Sequence, residues 1–103
     1  MKKVQVIWTA EAIHDLETIY DFLAVNSSSA AQRVCENILG RTKQIETFPE
    51  SGPQQPGLKN TTFAYRYLVE GNYKIIYSYR VENGAAYVHT IFDTRLNPEK
   101  LKK

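Results

Sequence analysis

The first residues of the chain place apolar side chains at every second position. Val4, Val6 and Trp8 follow this spacing, which predicts a strand over residues 4–8. Thr9 and Glu11 then supply an N-cap and an acidic first turn, and the apolar spacing changes to three and four residues, which predicts an amphipathic helix. Its apolar positions are Ala12, Ile13, Leu16, Ile19, Tyr20 and Leu23.

A serine-rich break at residues 26–29 ends this helix and offers new N-caps. The helical spacing then returns and runs up to Phe48 and Pro49, where the proline ends it. Because only a short turn joins the two helices, they should pack as an antiparallel hairpin. The carboxylates of Asp15, Glu17 and Asp21 fall on the polar flank of the first helix and should face solvent.

The second half of the chain changes from helical to alternating spacing. Residues 50–60 contain prolines and glycines without an apolar period, which predicts a loop. Residues 63–69, 73–81 and 85–93 are rich in Tyr, Ile and Val, and short polar connections separate them. Because Asn83-Gly84 in one of these connections is a strong hairpin signal, the three segments should form an antiparallel meander. Asn97 and Pro98 predict one helical turn over residues 97–101.

These elements predict a single domain over residues 1–103, of the α+β class and with the order β-α-α-β-β-β. The helix hairpin should pack on one face of an antiparallel-rich sheet, with the first strand added at an edge. A length of 103 residues, with 43% hydrophobic and 23% charged residues, is typical of one globular domain.

Alternation along the middle strand of the meander divides its residues between two faces. The residues expected to face the helices are Tyr73, Ile75, Tyr77 and Tyr79. Lys74 and Arg80 fall on the opposite, uncovered face, where they could grip a phosphate or a carboxylate-rich partner, although a plain solvated face fits the pattern equally well. In the preceding strand Arg66 lies between Tyr65 and Tyr67, whose rings could stack on bases but are more often packing residues in strands.

The net charge of +2 is small, but it is unevenly distributed. Five Lys and Arg residues stand against seven Asp and Glu residues up to Ser51, and eight stand against four from Gly52 onward. The second half therefore permits an anionic partner without requiring one. Arg95, at the exit of the last strand, can reach towards the uncovered face.

Composition and residue spacing also argue against a membrane span, a metal or cofactor site and a catalytic histidine. No apolar run is long enough to cross a bilayer and the first residues lack a secretory pattern, so we expect a cytoplasmic protein with no membrane partner. Cys35 has no Cys or His neighbour at metal-ligand spacing, and we expect neither a metal nor a cofactor. His14 and His89 lack a nucleophile at a catalytic spacing; His14 should be solvated, and His89 should pack in its strand with Tyr87 and Ile91.

The order of the elements, together with several short motifs, resembles the toxins of the RelE/ParE toxin–antitoxin superfamily over nearly the whole chain. The motifs are Val6-Ile7-Trp8-Thr9, Phe48-Pro49-Glu50-Ser51-Gly52, Tyr65-Arg66-Tyr67-Leu68-Val69, Asn72-Tyr73-Lys74-Ile75-Ile76-Tyr77 and the stretch from Ile91 to Leu101. The resemblance implies a small bacterial toxin of a type II, plasmid-stabilisation module that is neutralised by an acidic, partly disordered cognate antitoxin. RelE-like members of the superfamily cleave mRNA on the ribosome, whereas ParE-like members inhibit DNA gyrase.

Site residues follow from this resemblance. For a RelE-like nuclease, the resemblance implies basic catalytic residues at Lys74 and Arg95. It also implies a proton-transferring Tyr or His near position 101, but this chain has Leu101 there, whose side chain cannot transfer a proton. This departure favours the ParE-like branch, which is not enzymatic; a metal-independent mRNA endoribonuclease and a non-toxic antitoxin-binding protein remain the alternatives. The residues expected to bind the target or the antitoxin are Arg66, Lys74, Arg80, Arg95 and Lys100. We expect these cations to gather on the uncovered face of the sheet.

Overall fold

The computed structural model describes residues 3–55 and 64–95, which form two α-helices and a four-stranded sheet. The elements are β1 (Gln5–Trp8), α1 (Ala10–Ala24), α2 (Ser28–Thr47), β2 (Tyr65–Glu70), β3 (Tyr73–Arg80) and β4 (Ala85–Asp93). The strands lie in the order β1-β4-β3-β2; β1 runs parallel to β4, and the other neighbours are antiparallel. The predicted α+β architecture, with the first strand at a sheet edge, is confirmed.

Both helices begin at the caps that the sequence predicts. The Thr9 hydroxyl accepts a hydrogen bond from the Ala12 amide at 3.2 Å and donates to the Val88 carbonyl at 3.0 Å, so that the same side chain starts α1 and ties it to β4. Ser27 caps α2 by accepting from the Ala30 amide at 3.1 Å. The two helices pack against each other as the predicted hairpin, with the buried Cys35 of α2 reaching the Leu16 carbonyl of α1.

The core lies between this helix hairpin and one face of the sheet. It is a cluster of buried side chains that both helices and the last three strands contribute: Ala12, Ile38, Ile45, Leu68, Ile75, Tyr77, Ala86, Val88 and Ile91. Ile75 and Tyr77 are fully buried in it, and Tyr73 and Tyr79 pack against it, which confirms the predicted inward face of β3. Burial of these aliphatic and aromatic side chains is the main driving force for the fold.

A β-bulge in β4 overturns the simple alternation expected for that strand. Ile76 pairs with Thr90 but Tyr77 pairs with Val88, so His89 has no residue opposite it. The extra residue moves Ile91 to the helix face, where it is buried, while His89 lies on the other face against Ser78. The expectation that His89 packs with Ile91 on one face is therefore wrong, because the bulge shifts the register between them.

The loop after α2 is held by a buried tyrosine. The Tyr77 hydroxyl donates to the Pro49 carbonyl at 2.8 Å and accepts from the Gly52 amide at 3.0 Å. Burial raises the pKa of Tyr77, so the hydroxyl keeps the proton that it donates. Beyond Gly52, the Tyr67 amide donates to the Pro53 carbonyl at 3.0 Å, which covers part of the β2 edge.

Asp15 differs from the solvated role expected for it. One of its carboxylate oxygens accepts from the Thr90 hydroxyl at 2.6 Å and from the Ile91 amide at 3.0 Å. Because α1 packs on β4, this carboxylate satisfies a backbone amide just after the bulge and joins the two elements. Glu17 and Asp21 are exposed, as predicted for the polar flank.

Replacing Asp15 by alanine should therefore lower the free energy of unfolding by about 2–3 kcal/mol, since two charge-assisted hydrogen bonds are lost and the Ile91 amide is left without this acceptor. Asp21→Ala is the matched control: it removes an exposed carboxylate from the same helix and should change stability by less than about 0.5 kcal/mol. Urea unfolding of the two variants gives the comparison. Equal losses would show that the Asp15 contacts add nothing to stability.

The predicted helical turn at residues 97–101 lies outside the described residues. Within the parts of the chain that are described, no helix is both long enough and apolar enough to span a membrane.

Candidate functional site

The face of the sheet that points away from the helices carries a row of rings and two cations. We call it the aromatic face; its residues are Tyr65, Tyr67, Lys74, Ile76, Ser78, Arg80, Tyr87 and His89. Strand register places them together, because Tyr65 and Tyr87 both pair with Ser78 and Tyr67 pairs with Ile76. The centre of this face is not solvated: Ser78 is 0% exposed and Ile76 is 1% exposed.

Lys74 lies at one end of the aromatic face. Its Nζ is 4.0 Å from the centroid of the Tyr67 ring, a cation–π contact between neighbouring strands. Partial burial lowers the pKa of Lys74, because desolvation disfavours the ammonium form. A partly desolvated lysine on a ring is preorganised to meet an anionic group on a partner.

The centre and the far end of the face are organised around His89. The Ser78 hydroxyl and His89 Nε2 are 2.7 Å apart, and the His89 ring stands edge-on to Tyr65 with 5.1 Å between centroids. Arg80 lies over Tyr87 at 5.7 Å. Burial lowers the pKa of His89, the charge of Arg80 lowers it further, and Glu11 acts in the opposite direction. The imidazole is therefore neutral at neutral pH and serves as a packed, hydrogen-bonded ring.

The lowered pKa of His89 makes the stability of the fold depend on pH. The unfolded imidazole takes up a proton near its ordinary value of 6.5, above the value in the folded protein, so stability should fall as the pH drops from 7.5 through about 6.5. His89→Gln should flatten this dependence between about pH 7.5 and 5.5, a range in which few carboxylates titrate. His14→Gln, which removes an exposed histidine, should leave it intact. Urea midpoints across this range test the prediction, and an unchanged slope in His89→Gln would contradict it.

Arg66 does not belong to the aromatic face, contrary to expectation. It pairs with Tyr77, whose side chain faces the helices, and its Nη1 donates to the carbonyls of Gly52 at 2.8 Å and Glu50 at 3.1 Å. Alternation places Arg66 on the side of Leu68, the buried residue two positions later. Its guanidinium holds the loop in place, and it meets Arg80 only at the strand ends, where both line a cavity of about 240 Å³.

Arg95 is also on the other side of the sheet from Lys74. Its guanidinium donates to both carboxylate oxygens of Asp93, at 3.2 and 3.0 Å, and Asp93 pairs with the inward-facing Tyr73. The hydrogen bonds from Arg95 lower the pKa of Asp93. The expectation that the cations gather on one face is therefore wrong: Lys74 and Arg80 share a face, Arg66 and Arg95 do not, and Lys100 lies outside the described residues.

The spacing of the two remaining cations limits what the aromatic face can do. Lys74 and Arg80 are six residues apart along β3, so their backbone positions are separated by roughly 20 Å at 3.3 Å per residue. Their side chains lie over rings on different neighbouring strands, Tyr67 of β2 and Tyr87 of β4. Because they do not converge on one point, they suit two separate groups on a macromolecular surface better than a single phosphate. Among the described residues, no cluster of side chains could hold a metal ion.

Comparison with known proteins supports the fold and identifies the family. The family model of the ParE toxin of the type II toxin–antitoxin system parDE matches residues 6–97. The chain belongs to the ParE toxin family. A comparison with curated protein sequences gives no match.

A solved structure shows the same fold as this ParE-family chain. The chain is similar to a chain from the chromosomal ParDE TA system of P. aeruginosa, with a TM-score of 0.67 and 20% sequence identity. The match covers 87% of this ParE-family chain and 95% of the other. At this identity the match shows that the two share a fold.

The ParE-family fold of this chain contains contacts that sequence reasoning missed. The Ser78–His89 pair depends on the bulge in β4, for which we found no signal in the sequence. The Asp15 anchor had a weak signal, because Asp15 lies next to Leu16 and one turn before Ile19 on the apolar side of α1. In this ParE-family chain the aromatic face is therefore set by tertiary contacts as much as by strand alternation.

Proposed function

We propose that this chain is a toxin that inhibits DNA gyrase by binding it, and that a cognate antitoxin neutralises it. Membership of the ParE toxin family supports this proposal, since gyrase inhibition is what the resemblance to the ParE-like branch implies. The observation that carries it further is the layout of the aromatic face. Its two cations come from positions six residues apart along β3 and lie over different rings, Tyr67 and Tyr87, with packed side chains between them, which suits a protein contact better than a catalytic centre.

Binding at the aromatic face would rest on a few residues. Aromatic rings bury much area at low entropic cost, and cations at both ends fix the orientation of the partner. Lys74 would meet a carboxylate or phosphate at one end and Arg80 would do so at the other. We propose that the antitoxin presents carboxylates to the same two cations and so excludes gyrase by competition. Arg95, which lies outside this face, and Lys100 are proposed as further contacts.

A second candidate function, ribosome-dependent cleavage of mRNA, is favoured by one observation. His89 is a neutral imidazole on the same face as Lys74 and Arg80, and such a group can accept a proton from a ribose hydroxyl. The geometry is unfavourable, because Nε2 of His89 faces the fully buried Ser78 hydroxyl at 2.7 Å. The pair Lys74 and Arg95, which the resemblance implies for a nuclease, lies on opposite sides of the sheet.

Parallel assays of the purified protein separate these functions. In the first, gyrase relaxes or supercoils plasmid DNA in the presence of increasing toxin; in the second, a translating extract is probed for cuts in mRNA. We expect loss of supercoiling with intact mRNA. Cut mRNA with unaffected gyrase would establish the nuclease instead. Activity in neither assay, together with tight binding to the product of the adjacent reading frame, would leave a protein that only binds its antitoxin.

A further inference from the structure

Two arginines from different strands border the same small cavity. The cavity has a volume of about 240 Å³ and lies where β2 begins and β3 ends, beside the loop that follows α2. Arg66 is the second residue of β2, and Arg80 is the last residue of β3. Lys74 and Arg80 lie over different rings, whereas Arg66 and Arg80 meet at one space and can hold a single oxyanion from two sides.

Arg66 is fixed in place and still has hydrogen-bond donors to offer. Its Nη1 donates to the carbonyls of Gly52 at 2.8 Å and Glu50 at 3.1 Å, which uses both N–H bonds of that nitrogen. Among the described residues, none accepts a hydrogen bond from Nε or Nη2 of Arg66. These two nitrogens form the side of the guanidinium that binds a phosphate or carboxylate bidentately. Because the backbone already orders the side chain, little entropy is lost when a ligand binds.

The charged groups around the cavity lie at different depths. Arg66 and Arg80 are half-buried, whereas the two carboxylates of the lining, Glu50 and Glu82, are exposed. Neither carboxylate forms an ion pair with a described residue, so they do not close the cavity by bonding to the arginines. An anion can therefore reach the arginines past a rim whose charge is screened by solvent. Hydroxyl groups attached to that anion would donate to the rim carboxylates.

The charge and the volume of the cavity narrow the choice of ligand. Two guanidinium groups match the charge of about −1.5 to −2 that a phosphate monoester has at pH 7, whereas a phosphodiester or a carboxylate has a single charge. The cavity holds roughly eight water molecules at about 30 Å³ each, which is more space than a bare phosphate fills. The remaining space, bordered by acceptors, suits a sugar with free hydroxyl groups.

We propose that this cavity binds the phosphate monoester of a pentose, as it occurs in a nucleoside monophosphate or in a pentose phosphate. The phosphate lies between Arg66 and Arg80, and the sugar hydroxyls donate to Glu50 and Glu82. Tyr79, which lines the same cavity, contacts the sugar. Binding at this site can be measured whether or not the chain inhibits gyrase.

Amide NMR signals of the full-length protein report binding of small-molecule probes. The probes are ribose 5-phosphate, adenosine 5′-monophosphate, adenosine and inorganic phosphate. We expect both pentose phosphates to shift signals of Arg66, Tyr79 and Val81 and to bind at least about fivefold more tightly than inorganic phosphate. Adenosine, which lacks the phosphate, should bind at least about tenfold more weakly than adenosine monophosphate. Equal affinity for the two pentose phosphates would place the base outside the cavity, and tighter binding of the nucleotide would make it the natural ligand.

Substitutions of Arg80 test the role of the guanidinium. Arg80→Gln should weaken binding of ribose 5-phosphate about tenfold, since one of the two cations is lost. Arg80→Lys keeps the charge and should still weaken binding at least about threefold, because an ammonium group does not bind a phosphate bidentately. Arg33→Gln removes an exposed cation of α2 and should leave binding unchanged. Spectra of the free variants verify that each is folded.

Several outcomes would overturn the proposal. They are the absence of binding by either pentose phosphate, equal affinity for ribose 5-phosphate and inorganic phosphate, and equal losses in Arg33→Gln and Arg80→Gln. Shifts confined to residues away from the cavity would do the same. The last probe is a single-stranded oligodeoxynucleotide without a terminal phosphate. If it bound the cavity more tightly than ribose 5-phosphate, the ligand would be a phosphodiester backbone and the monoester assignment would be wrong.

Discussion

Replacing Gly52 by alanine should lower the free energy of unfolding by about 2–3 kcal/mol, because the added methyl group has no space. A Cβ at this position would lie 2.4 Å from the Tyr67 carbonyl oxygen and 2.7 Å from the Tyr77 hydroxyl. The first of these atoms belongs to the backbone and the second to a fully buried side chain, so neither can move away cheaply. To make room for the methyl group, the loop would have to move away from β2 and β3, which should break the hydrogen bond from the Gly52 amide to the Tyr77 hydroxyl.

Gly40→Ala is the control for this experiment. Gly40 lies inside α2, where an added Cβ meets no atom within 4 Å, and alanine there should stabilise the protein by about 0.5–1 kcal/mol through helix propensity. The same substitution should thus have opposite signs at the two positions. Urea unfolding measures both, and a stable Gly52→Ala variant would show that the loop does not depend on the close contact with β2 and β3.

The Gly52 contact also gives a physical reason for the motif Phe48-Pro49-Glu50-Ser51-Gly52. Pro49 supplies the carbonyl that accepts from Tyr77, and Gly52 supplies the amide that donates to it. The Glu50 and Gly52 carbonyls then accept from Arg66. The loop therefore joins the end of α2 to the two strands that carry most of the aromatic face.

The order of strands and helices could be predicted from the sequence because apolar residues recur at a regular spacing within each element. Trp8 and its neighbours alternate, α1 and α2 repeat every three to four residues, and Gly71 and Gly84, with φ near 60°, mark the turns between strands. Observed helix and strand ends lie within a few residues of the predicted ones.

The layout of the site could be predicted only in part. Alternation in β3 placed Lys74 and Arg80 on one face correctly. Alternation did not place Arg66 correctly, because either set of alternating side chains in β2 could face the helices. One set contains Leu68 and Arg66 and the other contains Tyr65 and Tyr67, and both include apolar side chains that could enter the core. The position of the Arg95 side chain depends on its ion pair with Asp93, beyond the end of β4, where strand alternation no longer applies. The face on which His89 lies depends on the bulge in β4.

Neutralising both cations of the aromatic face should have the largest effect on activity. The double variant Lys74→Gln, Arg80→Gln should weaken gyrase inhibition more than tenfold, since each cation would lose a partly desolvated contact worth about 1 kcal/mol or more. Lys74→Gln alone should give a smaller loss in the same direction. The core lies on the other face of the sheet, so the variants should keep the fold, which circular dichroism and thermal unfolding verify.

The matched control removes the same two charges elsewhere. Arg33 and Lys43 are exposed on α2, on the helical side of the molecule, and the variant Arg33→Gln, Lys43→Gln has the same net charge as the double variant of the aromatic face. Loss of activity through net charge alone would affect both proteins equally.

The concentration of toxin that halves DNA supercoiling by gyrase, measured side by side for the unmodified chain and these two double variants, tests the account most directly. We predict inhibition by the unmodified chain and by Arg33→Gln, Lys43→Gln at similar concentrations, and a more than tenfold higher concentration for Lys74→Gln, Arg80→Gln. No inhibition by the unmodified chain, or equal inhibition by all three proteins, would contradict the account.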